Sequence, residues 1–113
     1  MIDTKWTLFS GRAGEDTAQV WLEAAGQGAV IRTQSWGPGV ELHFGSDTIE
    51  TWLRIDGPSL SVLAHALVMD LPELDPGASP IETIAAYLGD SAATSRARTR
   101  LDELDLHYEF SLR

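Results

Sequence analysis

The three histidines are the side chains whose chemistry would be easiest to recognise, because imidazole can transfer protons or bind metal near neutral pH. His43, His65 and His107 are far apart in the chain, and no two are separated by four residues. None has an HxH or HxxE partner, the spacings by which helices and strands usually present metal ligands. The sequence therefore predicts no metal site and no cofactor.

Motifs for nucleophilic catalysis and phosphate binding are missing from the sequence. The chain has no cysteine and no GxSxG motif, and Ser10 and Ser91 are better explained as turn and cap residues. Four glycines are predicted to form hairpin turns and not the strand-to-helix loop that cradles phosphate. They lie at positions 26, 28, 37 and 39.

Carboxylates occur close together at Asp102, Glu103 and Asp105. In a chain this acidic such groups arise by chance, so we interpret these three as a solvated helix end. No catalytic constellation is visible, and we expect a protein that is not an enzyme. An active site assembled from distant parts of the chain stays open as an alternative.

Length and composition predict a single domain over residues 1–113 that needs no disulfide. The first residues lack the basic start and apolar run of a signal peptide. No apolar stretch approaches the roughly 18 residues of a membrane span. We expect a soluble cytoplasmic protein, a monomer or a weak homodimer, with no membrane partner.

The charge balance points to a class of partner. Seventeen acidic residues and eight basic residues give a formal net charge of −9. Such a domain repels phosphate backbones, so we expect no direct binding of nucleic acid. It would attract a basic protein such as a nuclease. The alternative is that the charge only keeps the domain soluble.

Hydrophobic periodicity predicts the elements. Short alternating segments joined by glycine-containing turns indicate strands over 5–10, 17–25, 29–36, 40–44 and 48–55. A period of 3.6 residues then predicts helices over about 57–71, 79–89 and 91–104, and alternation returns in a last strand over 106–113. The predicted fold class is α+β, with a single antiparallel sheet of five to six strands packed on two or three helices. The order of the strands is not predicted.

The same alternation predicts which side chains face away from the core. We expect the outer face of the sheet to carry the partner-binding residues, since Trp and Arg are enriched at interface hot spots and acids suit a basic partner. The alternative is that helices or the loop 73–78 cover these rings. The predicted binding residues are Trp21, Trp36, Glu41, His43, Glu50, Trp52 and Arg54, with Glu23 and Arg32 beside them.

A second cluster consists of Arg96, Arg98 and Arg100 on the last predicted helix. Arg96 and Arg100 share a face of that helix. We expect pairing within the molecule, with Asp102, Glu103 or carboxylates elsewhere, and keep partner binding as the alternative.

The segments 81–90 (IETIAAYLGD) and 98–110 (RTRLDELDLHYEF) resemble the ending of small bacterial immunity proteins. These are encoded beside polymorphic toxins, including contact-dependent growth inhibition systems. The resemblance implies an immunity or antitoxin protein, a stoichiometric inhibitor that blocks the active site of one basic toxin, often a nuclease. A different interpretation is a small-ligand-binding module or minor enzyme with a site between sheet and helices, which a deep pocket would favour.

Overall fold

A computed structural model describes residues 5–88 and 93–113 of the chain. Within these residues the chain forms one five-stranded antiparallel sheet, in the order β1-β2-β3-β4-β5, together with four helices. The predicted α+β class with a single antiparallel sheet is confirmed. The elements are β1 (Lys5–Ala13), β2 (Asp16–Ala25), β3 (Gly28–Trp36), α1 (Pro38–Phe44), β4 (Thr48–Ile55), α2 (Gly57–Asp70), α3 (Pro80–Tyr87), α4 (Ala93–Glu103) and β5 (Glu109–Leu112).

The sheet buries one of its faces. Leu22 pairs with Ile31, Ile31 with Leu53, and Leu53 with Phe110, so one row of apolar side chains crosses four strands. The first three of these side chains are completely buried and belong to a core that also contains residues of α2, α3 and α4. Paired residues of an antiparallel sheet point to the same side. This row therefore defines the inner face.

Two of the helices begin within one residue of their predicted starts. The Asp56 carboxylate accepts a hydrogen bond from the Ser59 backbone N–H at 2.8 Å and caps α2. The Ser79 hydroxyl accepts one from the Glu82 backbone N–H at 3.3 Å and caps α3. Such side chains satisfy backbone donors that have no partner inside the helix. The predicted starts of both helices are confirmed.

The helix α4 packs its small residues on the sheet. Ala93, Ala97 and Leu101 are at most 1% exposed, as the helical periodicity predicts. The hydroxyl groups of Thr94 and Thr33 are hydrogen-bonded at 3.0 Å, which joins α4 to β3. The predicted helix end at residue 89 and helix start at residue 91 lie outside the described residues.

The predicted strand over 40–44 is wrong, because these residues belong to the helix α1. Val40, Leu42 and Phe44 alternate as in a strand, yet only Val40 is buried and Leu42 is 81% exposed. Pro38 stands in the first turn of α1 and Gly45 ends it with a left-handed φ of 71°, which are the positions that helices favour for proline and glycine. The described residues thus contain four helices where two or three were predicted.

The last strand is shorter than the alternation predicts. Asp105 has a positive φ of 55°, and the Leu106 N–H bonds to the Leu101 carbonyl at 2.9 Å, so the chain is still leaving α4 at this point. Strand pairing with β4 begins at Glu109. β5 therefore covers only the second half of the predicted segment.

Candidate functional site: the outer face of the sheet

The side of the sheet opposite the Leu22 row is the candidate site, and we call it the outer face. Its central row is Trp21, Arg32, Trp52 and Ser111, paired in succession across β2 to β5. The core residues of α2, α3 and α4 pack on the inner face. The outer face comprises Lys5, Thr7, Ser10, Arg12, Thr17, Gln19, Trp21, Glu23, Val30, Arg32, Gln34, Trp36, Thr48, Glu50, Trp52, Arg54, Glu109, Ser111 and Arg113.

Three of the four tryptophans lie on the outer face. Trp21, Trp36 and Trp52 are half-buried, and none is among the side chains packed against the core. Trp6 differs, since it pairs with Leu22 on the inner face and packs against the core. The predicted placement of these three rings is therefore right.

Cations lie near two of the three tryptophan rings of the outer face. The Lys5 ammonium and the Arg32 guanidinium lie 5.3 and 5.4 Å from the ring centroid of Trp21. The Arg113 guanidinium lies 5.5 Å from that of Trp52. Contacts of this kind contribute about 0.5–1 kcal/mol each at exposed sites. The rings of Trp21 and Trp52 are therefore partly ordered by contacts within the protein.

The outer face has the opposite charge from the rest of the protein. It carries five basic and three acidic residues, a net charge of +2, and the remaining residues carry −11. The edge strands cause this difference, because β1 contributes Lys5 and Arg12 and the end of β5 contributes Arg113. The predicted acids Glu23 and Glu50 lie on this face and Glu41 does not, and basic residues outnumber acidic ones there.

Two of the predicted site residues, Glu41 and His43, do not lie on the outer face. Both are exposed on α1, because the segment is a helix and not a strand. Glu50 lies on the outer face as predicted, and its carboxylate is 3.8 Å from the Arg32 guanidinium. Arg54 also lies on this face and is exposed.

The glycines at 37 and 39 occupy a strand-to-helix junction and not a hairpin turn. The Gly39 N–H donates to the Asp16 carboxylate at 2.9 Å, so an acidic side chain of the protein itself lies at the start of α1. A Cβ on Gly37 would come within 2.5 Å of that carboxylate. The Asp16 carboxylate therefore occupies the space at this junction.

A cavity of about 240 Å³ opens on the outer face beside Trp52. Its lining includes two guanidinium groups, a hydroxyl and an indole ring. Within the described residues, neither Arg54 nor Arg113 has a carboxylate within 4.0 Å, whereas Lys5 and Arg32 are each 3.8 Å from one. The lining residues are Trp52, Arg54, Ser111 and Arg113.

A second cavity, of about 300 Å³, lies at the end of the sheet near the β2–β3 turn. Its polar lining comes from Arg54, Asp56, His107 and Glu109. Asp56 already caps α2, and the hydrogen bond from the Ser59 backbone N–H lowers the pKa of this carboxyl, as does the nearby His107 to a smaller extent. This carboxylate thus has a structural role in α2.

The arginines of α4 contact other parts of the molecule. The Arg100 guanidinium pairs with Asp70 and with Glu103, and the pair with Asp70 raises the pKa of Arg100. Arg98 lies 4.1 Å from the ring centroid of Phe110, and Arg96 lies 4.5 Å from that of Tyr87. The predicted intramolecular pairing is confirmed for Arg100.

Other kinds of site have little support in residues 5–88 and 93–113. No group of three or more His, Asp or Glu side chains in these ranges is arranged to hold a metal ion. No helix in the same ranges is long and apolar enough to cross a membrane. Comparison of the chain with known protein families, curated proteins and solved structures finds no match.

Sequence reasoning missed the contributions of Lys5, Arg12 and Arg113 to the outer face. Their positions depend on which strands are neighbours and on the register between them, and one sequence does not reveal either. A partial signal was present in β1, where Lys5 and Thr7 alternate with the apolar Trp6 and Leu8. A bulge between Thr7 and Phe9 then interrupts that alternation.

Proposed function

We propose that this chain is an immunity or antitoxin protein that binds a cognate basic toxin domain through the outer face and blocks the toxin's active site. The observation that carries the proposal is the row Trp21, Arg32 and Trp52, two indole rings and a guanidinium held away from the core. Trp and Arg are the side chains that most often anchor protein interfaces, because they bury a large area and keep a polar group.

The size of the outer face suits a protein partner. A strand spacing of about 4.8 Å and a rise of about 3.3 Å per residue give a five-stranded face of this length an extent of roughly 600 Å². One side of a standard protein interface buries about 800 Å². The outer face and a narrow rim around it are therefore large enough for a specific complex.

The charge distribution supports a basic toxin with an acidic contact region. At long range the net charge of −9 attracts a basic domain. At contact the outer face, with its net charge of +2, favours carboxylates. Metal-dependent nucleases combine both features, since catalytic ions bound by carboxylates lie where the nucleic acid substrate binds. A positive face on a negative protein would fit such a site.

The experiment that tests the proposal uses the protein encoded by the gene next to the one for this chain, which the proposal expects to contain a toxin domain. The purified chain is titrated into that domain while its nuclease or other toxic activity is followed. We expect complete inhibition at one equivalent, and loss of inhibition when Trp52 is replaced with Ala. Full activity at several equivalents, or inhibition that Trp52→Ala leaves unchanged, would contradict the proposal.

The cavity near the β2–β3 turn favours a second candidate function, the binding of a small ligand. Its volume of about 300 Å³ is at the lower end of the range for ligand sites, about 300–1,000 Å³. Arg54, His107 and Glu109 are its polar lining residues without a capping role. Thermal-shift screening of small acids and amines against wild type and His107→Ala would test this function. A stabilising compound whose effect disappears in the variant would favour it, and no stabilisation would exclude it for those compounds.

A further inference from the structure

The cavity beside Trp52 combines features that suit one kind of ligand group. Arg54 and Arg113 line it with guanidinium groups, and Ser111 lines it with a hydroxyl. Trp52, a member of the central row, is the fourth lining residue. Guanidinium groups bind carboxylates by two parallel hydrogen bonds, which fixes the geometry as well as the strength of the contact. The cavity therefore suits a planar anionic group such as a carboxylate.

Arg54 and Arg113, like Arg12, have no carboxylate within 4.0 Å among the described residues, in contrast to the other two cations of the outer face. Lys5 and Arg32 are each 3.8 Å from a glutamate of the same face. Within residues 5–88 and 93–113, no carboxylate lies within that range of Arg54 or Arg113. These two guanidinium groups therefore form no close ion pair within the described residues, although Glu109 is the direct cross-strand neighbour of Arg54.

The backbone around the cavity is fixed. The Arg113 N–H donates to the Glu50 carbonyl at 2.9 Å, and the Glu50 N–H donates to the Arg113 carbonyl at 2.9 Å. Trp52 and Ser111 are direct partners in the same ladder. The lining side chains therefore extend from a continuous piece of sheet, which is a suitable scaffold for a preorganised site.

We propose that this cavity receives the carboxylate groups of an acidic segment of the protein partner. The inference rests on the proposed function, and it specifies which part of the toxin touches the sheet: an acidic segment, docked against Arg54 and Arg113 with Trp52 beside it. Complementary charge supports this occupant, because the outer face carries +2 while the protein as a whole carries −9. The net charge of −9 repels any anion at long range, and it repels a nucleic acid strand, with a charge on every phosphate, more strongly than a short acidic segment.

The test uses four probes at equal concentration: a glutamate-rich peptide, a lysine-rich peptide of the same length, single-stranded oligothymidine and inorganic phosphate. Nuclear magnetic resonance follows the indole N–H signals of Trp52 and Trp21 and the arginine Nε–H signals. The variant Arg54→Gln/Arg113→Gln removes both charges, and Arg12→Gln is the control, since Arg12 is also on the outer face and has no described carboxylate within 4.0 Å. Thermal unfolding of each variant checks that it is folded.

We expect the glutamate-rich peptide alone to shift the Trp52 and arginine signals saturably. Its affinity should fall by about tenfold or more in the double variant, about 1.4 kcal/mol, and stay near the wild-type value in Arg12→Gln. Three results would overturn the inference. They are no saturable shift with this peptide, a shift that the double variant retains, or equal or stronger binding of oligothymidine or inorganic phosphate.

The same variants separate this inference from the proposed function. If the adjacent toxin domain is inhibited equally well by wild type and by Arg54→Gln/Arg113→Gln, the acidic-segment inference fails and the immunity function stands. If wild type binds the glutamate-rich peptide but does not inhibit the toxin domain, the site stands and the immunity function fails.

Discussion

Replacing Trp52 and Leu53 separately with alanine distinguishes the two faces of β4. Leu53 is completely buried between Ile31 and Phe110, so Leu53→Ala should cost about 2–5 kcal/mol of folding free energy. Trp52 lies on the outer face, where truncation removes a cross-strand contact with Arg32, about 0.2–1 kcal/mol. It also removes the contact with Arg113, about 0.5–1 kcal/mol.

The expected cost of Trp52→Ala is therefore about 1–2 kcal/mol, below that of its neighbour. Urea denaturation followed by circular dichroism measures both values, and an unchanged slope with denaturant concentration would show that the comparison is valid. Trp52→Phe is the matched control, since it keeps a ring at the same place. A loss of about 3–5 kcal/mol for Trp52→Ala, the cost of emptying a core site, would refute the assignment of Trp52 to an uncovered face.

Three further predictions concern the fold and the charge. Gly37→Ala should destabilise the protein more than Gly45→Ala in the same denaturation assay, because both need a positive φ but only the first Cβ meets Asp16, at 2.5 Å. The lowered pKa of Asp56, usually 3.8, stabilises the fold above that value, and this contribution should be lost as the pH falls through the folded-state pKa. Wild type should therefore be more stable than Asp56→Asn above about pH 5, and the difference in stability should shrink as the pH falls below that value; identical curves would contradict the capping role. Association with a basic toxin domain should slow as salt rises in stopped-flow measurements, and a salt-insensitive rate would exclude steering by charge.

Most of the fold could be predicted from the sequence because its signals are long or redundant. The stripe Leu60, Leu63 and Leu67 extends over two turns of α2, and the Asp56 cap and Pro58 mark the start of the same helix. Because the periodicity and the residues at the start of the helix indicate the same element, few other assignments are compatible with this segment. The alternation of β2 and β3 placed Trp21 and Arg32 on the outer face for the same reason.

The segment of α1 could not be assigned from periodicity because it is too short. Five residues from Val40 to Phe44 fit a strand and a single helical turn equally well, and apolar runs of this length are ambiguous. The decisive signals were the residues at its ends, Pro38 and Gly45. If these two end residues are given more weight than the alternation, the segment is predicted as a helix, and Glu41 and His43 then leave the predicted site.

The charge of the candidate site depends on pairing between strands that are distant in sequence. Lys5 joins the outer face by pairing with Glu23, and Arg113 joins it through the ladder with Glu50, 63 positions earlier in the chain. Composition gives the net charge of −9 for the whole chain, but it does not reveal that the outer face has a net charge of +2. An acidic protein can thus carry a surface of positive net charge.

The affinity of Trp52→Ala for the proposed toxin partner is the most direct test of the account. Leu42→Ala is the matched control, because Leu42 is an apolar side chain 81% exposed on α1 and absent from the outer face. Isothermal titration calorimetry should show Trp52→Ala weakened by about 2 kcal/mol or more, roughly thirtyfold in Kd, with Leu42→Ala close to wild type. Wild-type affinity for Trp52→Ala, or a loss confined to Leu42→Ala, would contradict the claim that the outer face is the binding surface.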